Sequence, residues 1–143
     1  MPANVQPYLN FEGSAEEALG LYTKVLGAEV TMLMRCGEAP PGSGPTPKPE
    51  FKDKILHAAF RIGSSTLFAS DGYNSGTAKF DGVSLSVEAK DAAEAKRIYD
   101  GLSEGGAPFM PLAKTFFSDS FGMLTDKFGL TWMVMVPAPA PAK

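Results

Sequence analysis

The chain holds one cysteine, one histidine and one tryptophan in 143 residues, and each scarcity narrows what it can do. Cys36 has no partner for an internal disulfide, which fits a reducing cytoplasm. It lies in an apolar strand-like run, where a thiol is more often an inert buried group than a nucleophile. No motif links Cys36 to His57, and no serine sits in a nucleophile elbow, so covalent catalysis has no sequence support. Basic residues are not in excess: 13 Lys and Arg face 16 Asp and Glu, for a formal net charge of −3. They are scattered, so the electrostatic footprint of a nucleic-acid-binding protein is missing. No apolar run approaches the roughly 18 residues of a membrane-spanning helix. Met1-Pro2-Ala3-Asn4 has neither the basic stretch nor the hydrophobic segment of a secretory signal.

What the chain does have is an internal echo. Ser14, Glu17, Ala18, Leu21 and Tyr22 recur in kind as Asp91, Glu94, Ala95, Ile98 and Tyr99, at a constant offset of 77 positions (91 − 14). A period this long is not that of a solenoid, which stacks three or more short units. It suits two modules, each a strand, a helix and three further strands, within a single domain covering 1–143. Module one is expected at about 4–72 and module two at about 82–136, with the Pro/Ala-alternating 137–143 a disordered tail.

Val5–Phe11 reads as a first strand, with Pro7 pointing to a sheet edge or an irregular start. Ser14 followed by Glu17 has the capping-box spacing, and Gly27 ends the helix. Strands follow at Glu29–Cys36, Ile55–Ile62 and Thr66–Asp71. Between them, Gly37–Lys54 is dense in Pro and Gly, a long loop suited to a lid, a partner-binding arm or disorder. In module two a strand at Val83–Ala89 precedes a helix from Asp91 to Glu104. Three strands then follow, near Phe109–Lys114, Phe116–Thr125 and Leu130–Val136, the last two joined by a turn at Asp126-Lys127-Phe128-Gly129.

This order resembles the vicinal oxygen chelate superfamily, which includes glyoxalase I and bleomycin-resistance proteins, and its PhnB-like branch in particular. The resemblance is carried by Tyr8-Leu9-Asn10-Phe11, by Leu21-Tyr22-Thr23-Lys24-Val25-Leu26-Gly27 and by Leu67-Phe68-Ala69-Ser70-Asp71. It is carried most distinctively by Phe121-Gly122-Met123-Leu124-Thr125-Asp126-Lys127-Phe128-Gly129-Leu130-Thr131-Trp132. It implies an α+β fold of two tandem βαβββ modules forming a curved sheet around a cleft, and commonly a homodimer. Enzymes of the superfamily hold a divalent metal through His or Glu, two from each half. The matching positions here fall near Pro7, Leu67 to Ala69, Gly82 and Met133, none of which suits a hard ion. The branch is also often named as a methyltransferase, but the chain has no glycine-rich loop between a parallel strand and a helix.

Alternation along Leu56-His57-Ala58-Ala59-Phe60-Arg61-Ile62 places Leu56, Ala58, Phe60 and Ile62 on one face. That bulkier face should pack on a helix, turning His57 and Arg61 toward the cleft. His57 is the only side chain whose ordinary titration lies near neutral pH, and an inward Arg61 would favour an anion. Asp71, at the end of a strand, is a further ligand-binding candidate, although turn chemistry also accounts for an Asp before Gly72. The aromatic set Phe109, Phe116, Phe117, Phe121, Phe128 and Trp132 suits a core. Its members Phe117 and Trp132 are the candidates to line a cleft otherwise furnished by Met, Phe and Ser.

Three readings follow. The first is a protein binding a small apolar or anionic ligand with no metal and no cofactor, probing neither nucleic acid nor membrane. The second is a metal-dependent lyase, isomerase or dioxygenase with atypical ligands, such as His57 with Asp71 or Glu88. The third is a regulatory protein-interaction module using the Pro-rich loop.

Overall fold

The computed structural model describes residues 3–42 and 48–138, in two compact units that divide between Lys79 and Phe80. In the first unit, β1 (Tyr8–Asn10) leads to α1 (Ala15–Leu26), β2 (Glu29–Arg35), β3 (Ile55–Ile62) and β4 (Ser65–Ser70). The sheet order is β1-β4-β3-β2, with β1 parallel to β4 and the other pairs antiparallel. Pro7 precedes β1 on the sheet edge, where its missing N–H costs nothing; its carbonyl still accepts from the Phe68 N–H at 2.9 Å.

The helix turns Ala15, Ala18, Leu19, Tyr22 and Val25 onto the sheet. Tyr22 is fully buried and stacks on Phe60 with ring centroids 6.3 Å apart, and Phe11 meets Tyr22 at 6.1 Å. Each such side chain contributes about 1.5–3 kcal/mol of burial. Gly27 closes α1 in the left-handed region at φ 67°, and its N–H and that of Ala28 are received by the carbonyls of Thr23 and Tyr22.

The second unit repeats the plan with β5 (Ser84–Glu88), α2 (Ala92–Ser103), β6 (Ala107–Ala113), β7 (Ser118–Thr125) and β8 (Thr131–Pro137), in sheet order β5-β8-β7-β6. Ala95, Ile98, Tyr99 and Leu102 of α2 face Leu124, Trp132 and Val134 in its core. The Tyr99 hydroxyl donates to the carbonyls of Met110 at 2.9 Å and Met123 at 3.2 Å, fastening the helix to the backbone of β6 and β7. The fold is thus α+β with two βαβββ modules, and its strands form two four-stranded sheets, one in each unit.

The helix starts differ from their shared sequence pattern. Asp91 caps α2 as its spacing predicts, accepting from the Glu94 N–H at 2.8 Å. Ser14 makes no side-chain cap on α1. Its place is taken by the Asp71 carboxylate, which is ionic, binds the free N–H groups more strongly than a hydroxyl, and meets the positive end of the helix dipole. A second departure is in β3. Leu56, expected on the helix side, is 43% exposed, while Ile55 is 1% exposed. The register passes from Met34↔His57 to Arg35↔Ile55, so Leu56 is an inserted bulge residue and the alternation slips by one there.

Of the tail, Pro137 pairs with Ser118 as the last residue of β8, and 139–143 lie outside the described residues. The 37–54 loop is ordered at both ends. Short 3-10 turns form at Cys36–Glu38 and Pro49–Phe51, and the N–H groups of Cys36 and Gly37 are received by the carbonyls of Lys54 and Lys52. The tip, 43–47, lies outside the described residues.

Candidate functional site

Each sheet has one face covered by its own helix and a far face that is not. Cross-strand partners share a face, so the far face of the first unit can be written out from the pairing. One row crosses the sheet as Tyr8, Phe68, Ala59 and Met32, and His57 with Met34 lies beside it. Arg61 pairs with Thr66 and Glu29 farther along the same face.

His57 sits in an aromatic group assembled from three strands. The Tyr8 hydroxyl lies 3.0 Å from His57 Nδ1. Ring centroids are 5.5 Å apart for Tyr8 and His57, 5.3 Å for His57 and Phe68, and 6.0 Å for Tyr8 and Phe68, all tilted. Tyr8 is 47% exposed and both Met32 and Met34 are exposed, so this is a surface of aromatic edges and thioethers around one imidazole. Arg61 shares the face with its guanidinium already engaged: Nη2 is 3.0 Å from Glu29 Oε2 in an exposed ion pair. It stands four residues along β3 from His57 (61 − 57).

Asp71 is elsewhere in its chemistry. It is 1% exposed, and its oxygens accept the N–H groups of Gly13 at 3.0 Å, Ala15 at 2.8 Å and Ile55 at 2.7 Å. A carboxylate receiving three backbone donors ties the start of α1 to the start of β3. Asp126 does similar work in the second unit, accepting from Phe128 and Leu130 N–H and from the Trp132 indole Nε1 at 2.9 Å. Trp132 is 2% exposed and faces α2, within the core. Phe117 is 40% exposed just before β7 and meets Phe121 edge-on at 5.0 Å, with Phe116 against it at 5.1 Å.

The far face of the second unit is mapped by the same rule. Ser86, Met133, Met123 and Met110 form one row across β5, β8, β7 and β6; Glu88, Met135, Phe121 and Ala113 form the next. The Ser86 hydroxyl donates toward Met135 Sδ at 3.7 Å. The resemblance implies metal-ligand positions near Pro7, Leu67 to Ala69, Gly82 and Met133. Pro7 and Gly82 lie just outside β1 and β5, and the strand positions that pair are Tyr8 with Phe68 and Ser86 with Met133. None offers a carboxylate or imidazole. Among the described residues no three His, Cys, Asp or Glu side chains are grouped to hold a metal ion.

At the mouth of the 37–54 loop, Arg35 grips Glu16 of α1 through both nitrogens, at 2.7 and 3.1 Å, and donates to the Asp53 carbonyl at 2.7 Å. Arg35 holds the Glu16 carboxyl below its ordinary value, and Glu16 raises Arg35 in return. Burial, with Asp71 nearby, pushes the Cys36 thiol up, so the thiolate is disfavoured.

Sequence reasoning turned His57 away from the helix, as the pairing has it, but did not single out its neighbours Tyr8 and Phe68. They come from strands 49 and 11 residues away, and the available signal was the period-2 pattern of Tyr8-Leu9-Asn10, in which only Leu9 is buried.

Compared with known proteins, residues 3–135 match the family model described as 3-demethylubiquinone-9 3-methyltransferase. Protein YjdN of Escherichia coli (strain K12) is 34% identical over 145 residues, covering 97% of this chain and 99% of the relative. Among solved structures, protein PA1353 from Pseudomonas aeruginosa is 37% identical with a TM-score of 0.80, over 95% of this chain and 98% of its own. A PhnB protein from Bacillus cereus is 29% identical with a TM-score of 0.76, over 94% and 99%. A glyoxylase/bleomycin resistance protein/dioxygenase domain from Frankia sp. EAN1pec shares the fold, with a TM-score of 0.62 at 16% identity over 99% and 96%.

Proposed function

Because the chain belongs to the PhnB-like branch of the vicinal oxygen chelate superfamily, we propose that it binds a small apolar or anionic molecule on the far faces of its sheets, without the metal usual in the superfamily. The observation that carries this reading is the content of the paired strand positions. Tyr8 with Phe68 and Ser86 with Met133 offer rings, a thioether and hydroxyls where a hard divalent ion needs carboxylates or imidazoles. A methyl-donor site of the usual kind does not fit either. The two strand-to-helix junctions, 11–14 and 89–91, hold one glycine between them, too few for a loop that cradles a nucleotide-like donor.

In this reading His57 is the polar anchor of the first unit, with the Arg61–Glu29 ion pair at its margin. Phe117 and Phe121 extend the aromatic surface of the second. Asp71 and Trp132 act one step removed, by fixing the elements that carry the faces. The working form is a homodimer in the cytoplasm, testable by light scattering, with a soluble chain in which no described helix is long and apolar enough to cross a membrane.

Two measurements test the function. Elemental analysis of protein purified without chelators should give substoichiometric zinc, nickel, manganese and iron. The dye anilinonaphthalene sulfonate, which is both aromatic and anionic, should bind the folded protein saturably. A stoichiometric metal, or dye binding no different from that of a folded control protein, overturns the reading.

A further inference from the structure

The His57 cluster has a property that deepens this reading and rests on it: among the described residues of the first unit, the imidazole stands on the far face of its sheet with no unpaired carboxylate beside it. Nδ1 is engaged by the Tyr8 hydroxyl, and Nε2 has no hydrogen-bond partner among the described residues. Within the first unit, the groups that share its face come from three neighbouring strands. From β1 there is Tyr8, and from β4 there are Thr66, Phe68 and Ser70, none of them a carboxylate. From β2 there are Met32 and Met34. Glu29, at the far end of the same face, is paired with Arg61. Arg35, next along β2, is held by Glu16 and the Asp53 carbonyl. Asp71 is spent on three backbone N–H groups, and Lys54 donates to the Gly13 carbonyl at 2.8 Å.

We propose that the Tyr8–His57–Phe68 cluster is an anchor for a planar aromatic carboxylate, taken up together with a proton on His57. The three tilted rings present edges and faces at the spacing that aromatic pairs favour. Met34, directly across from His57, and Met32, across from Ala59, supply polarizable thioethers to the ligand ring. The ligand carboxylate provides the charge that the protein withholds. Nε2–H donates to it, while Tyr8 holds the imidazole through Nδ1. Arg61 does not compete for the anion, because Glu29 already neutralises it.

The sign of the pH effect follows from linkage. A bound carboxylate favours the protonated imidazole, so proton and ligand bind together and affinity falls as the pH rises through the imidazole range. The experiment compares naphthoate with its neutral analogue naphthalenemethanol, by calorimetry or NMR titration, at about pH 6 and about pH 8. Naphthoate should bind at least about tenfold more tightly at the lower pH, while naphthalenemethanol changes less than about twofold. His57→Gln should abolish the pH dependence and keep alcohol binding. Tyr8→Phe, which retains the imidazole without its orienting hydroxyl, should keep the pH dependence with affinity lower by about three- to tenfold. Naphthoate binding that is independent of pH, or a pH dependence that survives His57→Gln, overturns the inference. If naphthalenemethanol binds and naphthoate binds no better, this inference alone fails; if neither binds, the broader reading fails with it.

Discussion

At Asp71 three N–H donors converge on one carboxylate, and every partner is a donor. Asp71→Asn keeps the shape but offers one acceptor and one donor group. Whichever way the amide turns, at least one backbone N–H then faces another N–H. The expected loss is about 2–3 kcal/mol, the usual worth of a hydrogen bond to a charged group plus the cost of an unsatisfied buried donor, read from urea unfolding. Glu12 shows a pH effect. Partial burial pushes its carboxyl up, but hydrogen bonds from Ser75 and from the Tyr73 N–H outweigh it and hold it below the ordinary carboxylate value. With the folded value lower than the unfolded one, its contribution is complete above the ordinary carboxylate range. It is lost as the pH falls through the folded value. Glu12→Gln should therefore lower the melting temperature at neutral pH and match the parent in acid, as a pH series of thermal melts will show. At this scale the sequence marked His57 by its rarity and Asp71 by its place before Gly72. It could not assign their partners, because a hydrogen bond from Tyr8 across 49 positions or from Gly13 across 58 is set by sheet pairing rather than by neighbours in the chain.

Among elements, the strands and helices were legible wherever periodicity was strong. Ile55–Ile62 matches its expected bounds, and α1 and α2 lie within one residue of theirs. The exceptions have physical causes. The bulge at Leu56 breaks the two-residue alternation on which the face assignment relied, and composition gives no warning of it. The α1 cap was misread because a distant carboxylate displaces a local hydroxyl. Close packing also sets a constraint that no sequence pattern carries. A Cβ on Gly122 would stand 2.9 Å from both the Met110 carbonyl and the Tyr99 ring and 3.0 Å from Leu112. Two of these neighbours belong to β6 and one to α2. Gly122→Ala should thus force β7 from both partners and destabilise the protein by about 1–3 kcal/mol, measured by thermal or urea unfolding.

For the molecule as a whole, the duplicated helix pattern was enough to read two βαβββ modules and a family, because each repeat buries the same helix face: Tyr22 in one unit, Tyr99 in the other. The far faces were less legible. A strand shows which residues alternate but not which strand lies beside it, so the rows Tyr8-Phe68-Ala59-Met32 and Ser86-Met133-Met123-Met110 emerge only from registers. Those rows hold all six methionines of the described residues, counting Met34 and Met135 beside them, while neither core contains any. This segregation makes the protein's response to oxidants two-sided. Peroxide converts a thioether to a polar sulfoxide, which in a core would unravel packing. Here it would roughen only the far faces. Mild peroxide treatment should add up to seven oxygens by mass spectrometry, one for each methionine of the chain, and leave the melting temperature within about 2 °C. Dye binding should fall sharply, and methionine sulfoxide reductases should restore it. Damage of this kind would be confined to the far faces and reversible by repair, with no need for the chain to be refolded or replaced.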